Sequence, residues 1–138
     1  MYILMKQQRA TDWGTGKRPT LDEIEPTETH LHHIFPFNFI SKNKAAQKWY
    51  LDNDYSLADF RAEVNDIANL TFISQAKNSE ILDAPPWQYL PNETTRDMRK
   101  AHFIPEDQDL WKAERFAQFL NERRRLISQA MNSLLKHL

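Results

Sequence analysis

The chain contains no cysteine, which excludes a disulfide framework and any Cys-ligated zinc. A metal would have to be held by His, Asp, Glu, Asn or backbone oxygen. Glycine is almost as scarce, with only Gly14 and Gly16, both near the N-terminus. Gly14-Thr15-Gly16-Lys17 lacks the GxxxxGK[ST] spacing and a preceding strand, so it reads as a flexible turn and not a phosphate loop. No apolar run approaches the ~18 residues a membrane span requires. The opening Met1-Tyr2-Ile3-Leu4-Met5 is too short for a signal segment and is cut off by Lys6. A soluble, cytoplasmic protein is the expectation. Nor is there an excess of either charge: 18 basic residues face 19 acidic ones, for a net charge of −1. Nothing global attracts the chain to nucleic acid. Any such binding needs a local patch, for which Arg96, Arg99 and Lys100 and the run Arg123-Arg124-Arg125 are available.

What is present is enough for one globular domain: 138 residues, 41% hydrophobic and 27% charged. Residues 1–27 read as an irregular lead-in, and residues 28–138 as a single domain. Thr29–His33 is a strand candidate stopped by Pro36. Residues 39–51 carry Phe39, Ile40, Ala45, Ala46, Trp49 and Tyr50 at helical spacing. Ser56 is placed to cap a second helix through Val64. Residues 69–73 are β-branched and aromatic and predict a second strand, after which Ser74 can cap a short helix carrying Asn78. Beyond Pro85-Pro86, one turn is expected at residues 87–90 and a helix over 94–103. Residues 108–137 form one long helix by periodicity, with Leu110, Ala113, Phe116, Phe119, Arg123, Leu126, Ala130 and Leu134 on its apolar stride. The expected class is α+β, mostly helical, with a long C-terminal helix.

Three histidines, His30, His32 and His33, fall within four residues. On a strand His30 and His32 share one face while His33 takes the other. Such a pair has a chemical use: one imidazole can ligate a metal while its neighbour acts as a base. Leu31-His32-His33-Ile34-Phe35-Pro36 resembles the first block of the HNH endonucleases, and Ile67-Ala68-Asn69-Leu70-Thr71-Phe72-Ile73 resembles their second. Asn78 falls where the family places a metal ligand on the following helix. The blocks occur in family order, which is more specific than any one of them. The flanks Asp12-Trp13-Gly14-Thr15-Gly16, Pro86-Trp87-Gln88-Tyr89-Leu90 and Phe119-Leu120-Asn121-Glu122-Arg123 are similar to the C-terminal nuclease domain of GmrSD-type, modification-dependent (type IV) restriction enzymes.

The resemblance implies a ββα-metal (His-Me finger) core surrounded by helices, and a metal-dependent DNA endonuclease of a bacterial restriction or anti-phage system. It implies His33 as general base, Asn69 as the asparagine that ties the loop between the strands, and His32 and Asn78 as ligands of one divalent ion. Mg²⁺ is the first expectation, although two nitrogen or amide donors also suit Mn²⁺, Ni²⁺ or Zn²⁺. It further implies DNA as partner, and a nucleotide-hydrolysing domain or subunit that this sequence does not itself carry.

Plainer readings stand beside these. His32-His33 could be hydrogen-bonded core histidines, Asn69 a turn residue, and Asn78 a polar helix position. His30 is a further metal or phosphate contact or a solvated strand residue. Lys100, Arg123 and Arg124 are the candidate DNA-backbone contacts, against the alternative of a solvated or salt-bridged helix face. Glu25, Glu28 and Asp66 are candidate partners that orient an imidazole. The rivals to a DNA endonuclease are a catalytically silent HNH-like module that binds nucleic acid or protein, and a nuclease that cuts RNA. The silent module would let His32, His33 and Asn78 diverge.

Overall fold

A computed structural model describes residues 1–14 and 29–138. Helix α1 (Tyr2–Gln7) opens the chain, within the stretch expected to be irregular. Leu4 and Met5 are buried with Ala10 and Phe103, and Leu126, Ile127, Ala130 and Leu134 of the C-terminal helix pack against them. An apolar run too short for a signal segment is here a docking helix. Six residues are far below the length at which an isolated helix is stable, so burial of this face holds it. The rest of the expected lead-in, residues 15–27, lies outside the described residues.

Strand β1 (Thr29–His33) runs as expected, and the chain then bends through Ile34 and Phe35. The predicted helix over residues 39–51 is two helices, α2 (Phe37–Ile40) and α3 (Lys44–Asp52). The division falls at Asn43, whose side chain accepts from the Ala46 N–H and starts a new helix. Ser56 caps α4 (Leu57–Val64) through a reciprocal box with Asp59. A 3-10 turn (Ile67–Asn69) leads into β2 (Leu70–Ser74), antiparallel to β1 with His32 opposite Thr71 and His33 opposite Leu70. Ser74 ends the strand and caps α5 (Gln75–Ile81), which packs on both strands.

Helix α6 (Pro86–Glu93) is longer than the single turn expected, and α7 (Arg96–Ala101) begins at a Thr95 cap. The periodic stretch from residue 108 is not one helix. Two 3-10 turns, Gln108–Trp111 and Ala113–Arg115, precede α8 (Phe116–Lys136), because Lys112 adopts extended backbone (φ −82°, ψ 147°). The architecture is α+β and mostly helical, with one two-stranded sheet among the described residues. No described helix is long and apolar enough to cross a membrane.

The core positions the segment that follows the histidine pair. Phe35 is fully buried edge-on against Phe116 and Phe119 of α8, with ring centroids 5.1 and 5.0 Å away. Losing such an aromatic anchor costs about 3–5 kcal/mol. Arg123 reaches from α8 beneath the start of β2, donating to the carbonyls of Ile67, Ala68 and Leu70 and to that of His102. It is fully buried, so the expectation that it contacts a DNA backbone is corrected. Burial pulls its guanidinium down to about 9, yet four carbonyl acceptors favour the charged form. Its position on the apolar stride of α8 was the sequence signal for this inward role.

Candidate active site

Three elements meet at a cleft of about 170 Å³: the end of β1, the bend after it, and α5. His32, His33 and Asn78 all line it, together with Leu31, Phe37 and Asp83. The local sequence explains the convergence. β1 delivers the two histidines, β2 returns antiparallel beside it, and the Ser74 cap turns the chain at once into α5. Asn78 then sits one turn along α5, level with His32.

Asn69 holds the bend in place. Its side-chain Oδ1 accepts from Phe35 N at 2.8 Å, and its Nδ2 donates to the carbonyls of Phe35 and Val64. Its own carbonyl accepts from Ile34 N at 2.8 Å. Every one of these partners is backbone, and the residue is fully buried. Asn69 therefore ties the segment after β1 to the end of α4. Arg123 secures the carbonyls on either side of it.

His32 is 2% exposed, with Nδ1 2.7 Å from Asn78 Oδ1 and Nε2 3.1 Å from the Tyr89 hydroxyl. Burial pulls its pKa down to about 4, against the opposing Asn78 hydrogen bond, and the nearby His33 and His102 lower it further. It is neutral at pH 7 and can ligate a cation. Tyr89 donates its proton to the Ile34 carbonyl at 2.6 Å, and its burial pushes its own pKa well up. Trp13 closes the inner side, its ring centroid 5.7 Å from that of His32.

His33 is half-buried and differently held. Its Nε2 donates to Asn65 Oδ1 at 2.9 Å, and its ring meets Phe37 edge-on at 5.9 Å. Asn65 follows α4 and was not singled out from the sequence, nor was Tyr89 for a role at His32. Both hydrogen bonds span more than thirty residues, so no local pattern marks them.

Other expected residues stay apart. His30 does not line the cleft. Arg124 is paired with Glu63 and Asp66, and so Asp66 serves an arginine and not an imidazole. Lys100 is exposed and lines a separate cavity of about 540 Å³ with Arg96, Phe103 and Glu122. Glu25 and Glu28 lie outside the described residues.

The donor set at the cleft is compatible with a divalent ion. His32 Nδ1 and Asn78 Oδ1 are 2.7 Å apart. Adjacent donors around an octahedral ion with bonds of about 2.1 Å sit roughly 3 Å apart. No group of three His, Cys, Asp or Glu side chains placed to hold a metal occurs among the described residues. An ion at this pair would therefore have two neutral protein donors and keep most positions for water and substrate. The chain matches no protein-family model, and no curated protein or solved structure is similar enough to count as a relative.

Proposed function

We propose that the protein is a metal-dependent endonuclease of the HNH type, with a ββα-metal core formed by β1, β2 and α5, acting on DNA. The observation that carries the reading is the convergence of His32, His33 and Asn78 on one cleft, with His32 and Asn78 in direct contact. A silent module would have no need for that convergence, so the enzyme reading is favoured over the binding module. A divalent ion at His32 and Asn78, Mg²⁺ or Mn²⁺, would supply positive charge to stabilise the phosphate oxygens and the departing oxygen.

The side chains divide the remaining work. Asn65 Oδ1 can only accept, so the His33 Nε2 that meets it carries hydrogen. The neutral ring then has its lone pair on Nδ1, which takes the proton of the attacking water. The water oxygen forms the new bond to phosphorus as the bond to the 3′ oxygen breaks. The departing 3′ oxygen takes a proton from solvent water, and the products are a 5′-phosphate and a 3′-hydroxyl. Asn69, by fixing the bend after His33, holds the base at the end of β1. A bacterial restriction or anti-phage role, and a nucleotide-hydrolysing partner, follow from the sequence resemblance alone.

A supercoiled-plasmid nicking assay tests the proposal. Wild-type protein is expected to nick with Mg²⁺ or Mn²⁺ and to be inactive in EDTA. His33→Ala is expected to be slower by at least ~100-fold, the lower range for loss of a general base. Full activity in EDTA, or in His33→Ala, sinks the reading. Cleavage of RNA but not DNA under the same metal would reassign the substrate.

A further inference from the structure

A buried carbonyl beside the cleft decides which nitrogen of His32 is free. Ile34 is fully buried, and among the described residues the donor to its carbonyl is the Tyr89 hydroxyl at 2.6 Å. A buried carbonyl without a donor is costly, and a phenol has one proton to give. With that proton committed to Ile34, the Tyr89 oxygen meets His32 Nε2, 3.1 Å away, only as an acceptor. His32 Nε2 must therefore carry the hydrogen. A neutral imidazole has one N–H, which leaves Nδ1 as a bare lone pair 2.7 Å from Asn78 Oδ1. Two acceptors thus face each other at hydrogen-bond distance with no proton between them. A cation relieves that contact, as does a half-turn of the Asn78 amide that brings Nδ2–H round. In both arrangements Nδ1 is the donor of the lone pair.

We propose that Tyr89 is a positioning residue that fixes His32 as its Nε2–H tautomer and so presents Nδ1, beside Asn78, to a divalent cation. The proposal rests on the metal-site reading above. It adds to that reading a third side chain, from α6, that touches neither cation nor substrate. The outer partner of a ligating imidazole sets its tautomer and basicity, and its loss costs about 10–100-fold in metal affinity.

The test begins without a variant. Long-range ¹H–¹⁵N spectra of the metal-free, labelled chain at pH 7 are expected to show His32 Nδ1 unprotonated and Nε2 protonated. A protonated Nδ1 overturns the proposal outright. Tyr89→Phe keeps the ring and removes the hydroxyl, leaving Asn78 Oδ1 as the acceptor His32 can still reach. The Nδ1–H form is then expected to rise, and Mn²⁺ affinity by calorimetry to fall about 10–100-fold. A purely structural Tyr89 would lower the thermal midpoint while the folded variant kept the wild-type tautomer and Mn²⁺ affinity, and that result overturns the positioning role. Wild-type protein that binds no Mn²⁺ refutes the metal site itself. The spectrum separates that failure from failure of the tautomer lock.

Discussion

Two buried histidines flank the indole of Trp13, His32 at a centroid distance of 5.7 Å and His102 at 5.1 Å. Burial pulls both down to about 4, and both rings are neutral at pH 7. They even share a neighbour, since Thr71 is the cross-strand partner of His32 and its hydroxyl lies 2.8 Å from His102 Nδ1. Their second contacts separate them. His102 Nε2 donates to the Thr11 carbonyl at 2.7 Å, so its Nδ1 must accept from Thr71, and the ring is saturated by the protein. It pins the segment after α1 against β2. His32 is satisfied on one side only by a buried group, Tyr89; its other nitrogen faces Asn78 at the wall of an open cleft. Depth and depressed basicity therefore do not distinguish the two rings. The accessibility of the second nitrogen does, and the proposed function rests on it.

The largest expected effect treats the two rings alike. Burial holds each folded ring at about 4, against about 6.5 for a free imidazole. Between those values the unfolded chain binds more protons, so stability is complete above about pH 6.5 and is lost as pH falls toward 4. Each ring contributes on the order of 3 kcal/mol across that window, at roughly 1.4 kcal/mol per pKa unit. Together that is comparable with the whole stability of a small domain, about 5–15 kcal/mol. Urea unfolding followed by tryptophan fluorescence should show a steep loss between pH 7 and 4.5, about half as large in His102→Ala. A flat profile would mean that the rings are not buried neutral.

Substitution then splits the pair. His32→Ala is expected to lower Mn²⁺ affinity and nicking by more than ~100-fold, because on the proposed function it would remove a ligand and not merely its partner. His102→Ala is expected to cost about 2–4 kcal/mol, through a cavity and two stranded hydrogen-bonding groups. Measured below its lower melting temperature, it should keep wild-type Mn²⁺ affinity. Equal damage to Mn²⁺ binding by both variants would break the comparison.

Why the sequence revealed some of this and not the rest follows from distance along the chain. Both strands, the Ser56 and Ser74 caps and the inward stride of α8 are local patterns, and the structure has them. His32, His33, Asn69 and Asn78 stood out as a motif, and three of them share the cleft while Asn69 ties its wall. Tyr89 and Asn65 carry no local mark, because their hydrogen bonds exist only after α4 and α6 have packed. α1 was hidden for a related reason: a helix of six residues is held by Phe103 and α8, nearly a hundred residues away or more. Arg123 shows the opposite failure. Its run of three arginines suggested solvent, while its place in phase with Phe116, Phe119 and Leu120 indicated the core.

The smallest expected effect asks whether the two centres are independent. Thr71→Val keeps the shape of a fully buried side chain and removes the hydroxyl that serves His102. His102 Nδ1 is then left without a donor, at a cost of about 1–3 kcal/mol. His32 loses no contact, since its ring nitrogens lie against Tyr89 and Asn78 and not against Thr71. Mn²⁺ affinity is therefore expected to stay within about twofold of wild type, or about 0.4 kcal/mol, the size of the scatter between independent sites. The same variant combined with Tyr89→Phe should show additive stability losses to within about 0.5 kcal/mol. A larger coupling would mean that the strand pair His32–Thr71 transmits changes between the rings. In that case the saturated histidine would belong to the site after all, acting through the backbone of β2.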